Sequence, residues 1–280
     1  MPTVSELKAK SLEYRRKLLA IIKRANAGHT SGDLSCIDIL NVLYNQVLRV
    51  RPETFASPDR DRYVQSKGHS VEALYVVLAD CGFFPAEQLD TLGGYRSAFI
   101  GHPTRKVPGI EQNTGALGHG LAVAVGMALA GKMDERGYRV FCLLGDGELA
   151  EGSNWEAMLA AAHYKLDNLT AIVDRNGLQI TGGTEEVCAL EPLTDKLRAF
   201  GLAVREADGH DVGQLAEALA GVPFEKGRPG VLVAHTVKGK GVSFMEGDPR
   251  WHHGTPSDEE YSQALEELAR ARKKLDLETG

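Results

Sequence analysis

Cysteine is scarce in this 280-residue chain: Cys36, Cys81, Cys142 and Cys188 lie far apart, with no CxxC among them. That excludes a disulfide framework and a cysteine-ligated zinc site, and it reads as reduced thiols in a cytoplasmic protein. No run approaches the ~20 apolar residues that a bilayer-crossing helix needs. The amino-terminal VSELKAKSLEYRRKLLAIIKRA is charged throughout and lacks the apolar core of a signal peptide. No basic tract stands out either: 32 lysines and arginines against 38 aspartates and glutamates give a net charge of -6, with both signs scattered. This argues against nucleic-acid binding and against a membrane-surface role. Internal repeats and low-complexity segments are missing, as are GxGxxG and HExxH, so dinucleotide binding and metal hydrolysis have no motif to rest on.

What is present is 43% hydrophobic residues, enough to bury the core of one large α/β domain covering residues 1–280. The organising stretch is 138–183. Residues 140–144 are a short apolar run of the kind that fills a buried parallel strand, and the run stops at Gly145-Asp146-Gly147. Residues 153–166 repeat apolar side chains at helical spacing, and 169–173 read as a second buried strand. A right-handed crossover then brings Asn176 to the same sheet edge as Asp146. Two oxygen-bearing side chains there suit a hard cation such as magnesium or calcium, with a main-chain carbonyl just beyond, that of Leu178, as a further ligand and positions left for phosphate oxygens. Alone, Gly-Asp-Gly and Asn-Gly are ordinary tight turns. Their placement at opposite ends of one βαβ unit is what carries information.

The Gly145-Asp146-Gly147 turn, a spacer of about thirty residues and then Asn176 resemble the thiamine-diphosphate motif, and the words GDGELAEG and DRNGLQITG resemble transketolase. The resemblance to the transketolase family runs over nearly the whole chain and, within the family, is to a separately encoded amino-terminal subunit. It implies an α/β fold, a parallel sheet flanked by helices that binds the diphosphate end of thiamine diphosphate. It further implies Asp146, Asn176 and the Leu178 carbonyl as ligands of Mg2+, with Ca2+ or Mn2+ as substitutes, and Gly145 and Gly147 in the cofactor-binding turn, the Gly147 N–H facing the anion. Gly115 and Leu117, in the similar segment TGALG, would meet the aminopyrimidine and support the bent cofactor. His69 and His253 would touch diphosphate and substrate, His29 would line the substrate channel, and His102 would lie near the sugar's hydroxyls. Glu151 and Glu156 would join a carboxylate cluster at a subunit interface, with shifted pKa values. His119 stands where glutamine is expected and has no role assigned, and Thr30 stands where proline is more frequent.

The same likeness implies two-carbon ketol transfer between sugar phosphates, with the four histidines as hydrogen-bonding and proton-transfer groups suited to neutral pH. The activating glutamate belongs to a pyrimidine-binding domain, so a carboxy-terminal partner subunit is expected, in a two-plus-two heterotetramer. Competing readings are a subunit like deoxyxylulose-phosphate synthase or the alpha subunit of a 2-oxo-acid dehydrogenase, and a non-catalytic relative. Elsewhere, periodicity predicts helices over 5–27, 33–47 (capped by Ser31 or Asp33), 71–81, 83–95, 121–133, 193–200, 212–219 and 257–274. Strands are predicted just before His69 and over 203–207 and 229–236. Adjacent His252 and His253 point in opposite directions if extended, which argues against zinc binding by that pair alone.

Overall fold

The computed structural model describes residues 1–279. Its centre is a five-stranded, wholly parallel sheet: β1 (Arg62–Gln65), β2 (Val140–Gly145), β3 (Leu169–Arg175), β6 (Ala203–Asp208) and β7 (Gly230–His235), in the order β1-β2-β3-β7-β6. A two-residue hairpin, β4 (Leu178–Gln179) with β5 (Gly182–Gly183), follows β3 outside the sheet. The central strands are apolar on both faces because helices cover both. Phe141, Leu143, Ile172 and Leu232 pack on one side, against α1 (Val4–Ala25), α2 (Thr30–Val42), α3 (Val71–Asp80) and α8 (Val212–Ala220). Their alternates Val140, Cys142, Leu144, Val173 and Val231 pack on the other, against α4 (Gly120–Met133), α5 (Gly152–His163) and α7 (Leu193–Ala199). The one-turn α6 (Thr184–Val187) follows the hairpin, and α9 (Asp258–Thr279) lies along α1, placing Ala264 and Leu268 in the first core. Among the described residues no helix is long and apolar enough to cross a membrane.

The predicted strands and most helices fall where periodicity put them, and three details differ. The second helix starts at Thr30, not Asp33, and His29 precedes it without a side-chain cap. Asp33 lies inside the helix, where its carboxylate is drawn away to accept from the Ala73 N–H of α3 at 2.9 Å. The same helix ends in a π-helical turn, Leu43–Val47. Residues 83–95 form only a short 3-10 segment, Ala86–Thr91; Phe83, Phe84, Leu89 and Leu92 are all buried in the first core, but Pro85 enters with extended backbone and Gly93 follows at φ +72°, which confines the helical stretch between them.

The parallel arrangement sends every strand's carboxyl end to one edge, and a buried ion pair fixes the loops there. Lys67, just after β1, is 1% exposed and donates to the Asp174 carboxylate near the end of β3, which is fully buried. Ser35 of α2 donates to Asp174 at 2.6 Å, Thr236 after β7 donates to its other oxygen, and Lys67 also reaches the Gly32 carbonyl at 3.0 Å. Lys67 holds Asp174 below the usual carboxylate range against the opposing effect of burial. Removing one partner of such a pair strands a buried charge, so Lys67→Met is expected to cost about 3–5 kcal/mol. Adding Asp174→Asn, which removes the stranded charge and keeps one of the two oxygens that accept from Ser35 and Thr236, should recover part of that loss. Urea midpoints for the single and double variants test this; a single variant within about 1 kcal/mol of the parent contradicts it.

Candidate active site

A cavity of about 210 Å³ opens at the carboxyl edge of the sheet. His29, His69, Gly115, Leu117, Gly145, Asp146, Gly147, Asn176, Leu178 and His253, ten positions picked out from the sequence, all line it. A larger cleft of about 580 Å³ lies at the opposite edge beside Arg49, Arg139 and Asp167, and it holds none of these residues. The edge is set by topology: Gly145 of β2 pairs with Asp174 of β3, so Asp146 and Asn176 leave neighbouring strands at one level.

Asp146 is 1% exposed. Its Oδ1 accepts from its neighbour Gly147 N–H at 2.8 Å, and its Oδ2 accepts from Gly177 N–H at 2.7 Å and from Arg175 at 3.0 Å. The Gly147 N–H, expected to face an anion, is thus turned back on the aspartate. Burial, together with nearby Asp174, raises the Asp146 pKa against the lowering effect of Gly177 and Arg175. A carboxylate has about four acceptor directions, so at least one remains on Oδ1. Asn176 spans its own turn: Oδ1 accepts from Leu178 N–H at 3.1 Å. Arg175 went unnoticed in the sequence. It bridges Asp146 to Glu185 and Glu191 at 2.9 and 3.0 Å, tying the segment after the hairpin to the aspartate.

The imidazoles gather more tightly than their spread through the sequence suggests. From His29, ring centroids lie 5.2 Å away for His69, 6.2 Å for His102, 5.5 Å for His252 and 3.9 Å for His253. Burial, reinforced by neighbouring rings, lowers His29 to about 3. Burial and Lys238 lower His252 to about 4, and burial with Lys67 holds His69 well below its ordinary value. His102 is lowered too, by burial and by His253. These rings are uncharged at pH 7 and weakly basic, so they meet a ligand there as neutral hydrogen-bonding groups, against the expectation of histidines tuned for proton transfer at neutral pH. His102 stands just behind the cavity wall. A Cβ at Gly115, whose φ is +146°, would fall 2.7 Å from its ring, so glycine is required for that close approach.

Two further buried groups escaped the sequence reading. Lys238, 4% exposed, lines the cavity and donates to His252 Nδ1 at 2.9 Å. It makes no ion pair among the described residues, and burial with Lys67 lowers it to about 8. Its only signal was its place in the VKGKG turn after the last strand. Glu148, not Glu151 or Glu156, is the glutamate in the cavity wall. It is 2% exposed, with N–H donors from Gly118 at 3.0 Å and Gly145 at 3.1 Å and a hydroxyl from Ser66. Glu151 and Glu156 stand exposed at the start of α5, outside the cavity, and His119 is exposed at the start of α4.

A parallel sheet with two helical layers and a cavity pairing acid, amide and buried cation defines a thiamine-diphosphate-binding domain. The family model described as "Transketolase, thiamine diphosphate binding domain" matches residues 8–278, and the chain belongs to the transketolase family. It is 50% identical over 275 residues to an apulose-4-phosphate transketolase subunit of Phocaeicola vulgatus, covering 98% of each chain. It is 41% identical over 255 residues to a 6-deoxy-6-sulfo-D-fructose transketolase subunit of a Clostridium species, covering 91% of this chain and 93% of that one. The solved transketolase of Campylobacter jejuni superposes with a TM-score of 0.87 at 31% identity. That match covers 96% of this chain and 43% of the other, so the chain spans less than half the length of that enzyme.

Behind His69 lies a pair of acids. Asp33 and Glu72, exposed by 0% and 2%, are in hydrogen-bonding contact, and Asp33 Oδ2 and Glu72 Oε2 have no other partner. Burial raises both pKa values, and their mutual repulsion raises Glu72 further. Two facing carboxyl oxygens without a donor are satisfied by one shared proton. A raised acid binds more protons folded than unfolded, so this pair's contribution is greatest below the ordinary carboxylate range near pH 4 and is lost as pH climbs toward and past neutrality. Asp33→Asn supplies a permanent donor, so the variant should lose less stability than the parent between pH 5 and pH 8. Urea midpoints at both pH values check this; parallel losses in the two proteins contradict it.

Proposed function

We propose that this chain is the amino-terminal subunit of a split transketolase. With a carboxy-terminal partner it transfers a two-carbon ketol unit from a ketose phosphate to an aldose phosphate through thiamine diphosphate. The observation that carries this reading is the meeting, in one cavity, of Asp146 and Asn176 with the buried cation Lys238 and a group of uncharged imidazoles. The donor set fits the cofactor. Oxygen ligands suit Mg2+, with Ca2+ or Mn2+ as substitutes, and a buried ammonium lacking a carboxylate calls for an anion.

In this reading residues 1–280 are one diphosphate-binding domain. Asp146, Asn176 and the Leu178 carbonyl hold the metal, Lys238, His69 and His253 face the diphosphate, and Gly115 and Leu117 meet the pyrimidine side. When bound, the cofactor supplies the electron sink for cleaving a carbon–carbon bond next to a carbonyl. The chain's own residues hold and orient the donor. His29 and His69, uncharged at neutral pH, accept hydrogen bonds from its hydroxyls, and His102 steadies the far end. Leu117 and Ile180 narrow the mouth against water.

The partner would supply the glutamate that hydrogen-bonds the aminopyrimidine. Two observations support a partner. The curated relatives above are named as subunits. In addition, α4 is apolar on its exposed face, at Ala122, Gly126, Ala130 and Met133, and nearby α5 exposes Leu159 and Tyr164. A helix that is apolar all round is normally covered. Glu151 and Glu156 lie beside this face, where an interfacial carboxylate cluster of a cytoplasmic two-plus-two heterotetramer would form. The sugars in the relatives' names, apulose-4-phosphate and 6-deoxy-6-sulfo-D-fructose, are the first donors to test.

In the assembled complex, Asp146→Ala is expected to weaken magnesium-dependent binding of thiamine diphosphate by at least about a hundredfold, or 2.8 kcal/mol, measured by calorimetric titration; unchanged affinity removes the metal assignment. His102→Ala should lower turnover while leaving that affinity nearly as it was. The isolated chain should show little ketol transfer from any of these donors, and robust turnover without a second polypeptide would sink the split-enzyme reading.

A further inference from the structure

Three imidazoles converge in the wall of the cavity in a way that suits a different ion from the one proposed at Asp146. Ligating nitrogens of His29, His252 and His253 all lie within 4.8 Å of one another. The local backbone produces this. His252 and His253 belong to a 3-10 turn, Pro249–His253, and not to the extended segment assumed from the sequence. At three residues per turn, neighbours differ by about 120° around the axis, less than the roughly 180° of an extended strand, and the two ring centroids lie 5.1 Å apart. The turn packs on α2 next to His29, and the Nδ1 of His29 is buried with no hydrogen-bond partner. The low pKa values of His29 and His252 leave their lone pairs free at neutral pH.

We propose that His29, His252 and His253 form a three-imidazole site for a borderline transition-metal dication, of the zinc, cobalt or nickel class, separate from the hard-cation site at Asp146. Neutral imidazole nitrogens favour such ions, whereas magnesium takes oxygen ligands, so the two sites discriminate by donor chemistry. Three protein nitrogens leave the fourth tetrahedral position to water or to a hydroxyl oxygen in the cavity. Metal–nitrogen bonds of about 2.0–2.1 Å set tetrahedral donors roughly 3.3 Å apart. The nitrogens, within 4.8 Å of one another, therefore close by up to about 1.5 Å, to which the exposed His253 side chain can contribute. Lys238 opposes the ion. Its ammonium already holds His252 Nδ1, so the metal must take the other nitrogen or displace that hydrogen bond. Metal here would also block the place given above to the donor sugar; this consequence rests on the proposed function, whereas the binding does not.

The test is titration of Co2+ into the full chain without cofactor or magnesium, followed by the visible ligand-field absorption of tetrahedral cobalt. One equivalent should saturate the signal. His253→Ala, at an exposed position, and His252→Ser should each weaken binding by at least about tenfold. Asp146→Ala should leave it unchanged, and Lys238→Met, which removes the repelling charge, should tighten it. Absence of the tetrahedral spectrum overturns the proposal, as does binding that survives both histidine substitutions or is lost in Asp146→Ala. If the spectrum forms while the assembled complex performs no ketol transfer, the functional reading falls and the metal site stands. If the complex is active and no spectrum forms, only the metal site falls.

Discussion

A lysine buried to 1% exposure beneath the sheet edge, paired with a fully buried aspartate, holds the four chain segments that make the cavity. Lys67 and Asp174 join the loop after β1 to the end of β3 across the intervening β2, while Ser35 and Gly32 bring in α2 and Thr236 brings in the segment after β7. Each segment carries a cavity residue within a few positions of the pair: His69 beside Lys67, Asn176 beyond Asp174, His29 before Gly32 and Lys238 after Thr236. The pair is costly to desolvate, and hydrogen bonds from Ser35 and Thr236 to Asp174 and from Lys67 to the Gly32 carbonyl offset that cost. Rigidity at the site therefore comes from a polar network, with the apolar cores on either face of the sheet supplying the bulk of the burial.

That network leaves an imbalance of charge. Lys67 is neutralised by Asp174, but Lys238, buried beside it, has an imidazole for its partner and no ion pair among the described residues. Asp146 supplies the opposite charge at the other end of the cavity and is itself partly compensated by Arg175. An unused acceptor position on buried Asp146 at one end and an ammonium without an ion pair at the other give the cavity opposite charges at its two ends, the arrangement on which the proposed function draws. Burial, reinforced by neighbouring charges and rings, keeps His29, His69 and His252 neutral, so they contribute hydrogen-bonding groups and not a third positive charge.

The sequence made the strand–turn–helix–strand unit legible because a buried parallel strand must be apolar at every position and must end abruptly where the backbone reaches solvent. Residues 140–147 and 169–177 show this directly, and both Asp146 and Asn176 lie in the cavity wall as that reasoning required. Arg175, Glu148 and Lys238 were not legible. Each reads locally as a surface charge, and their burial depends on residues 10 to 82 positions away, such as Glu185, Ser66 and His252. Asp33, like Ser31, has the residue type of a helix cap; only contact with α3 makes it half of a buried acid pair. Over 83–95 the apolar residues do reach the core, at Phe83, Phe84, Leu89 and Leu92, but extended backbone at Pro85 and the left-handed Gly93 limit the helix to one short 3-10 stretch.

The sequence by itself determined the alternation of strands and helices, the edge at which their turns collect and the likeness to the transketolase family, since all three follow from local pattern and short-range spacing. Tertiary structure alone decided which charges are buried, which histidines meet and in what protonation state, and that His252 faces the same way as His253. Those properties depend on desolvation and on distances between side chains remote in the chain, and no local pattern encodes them.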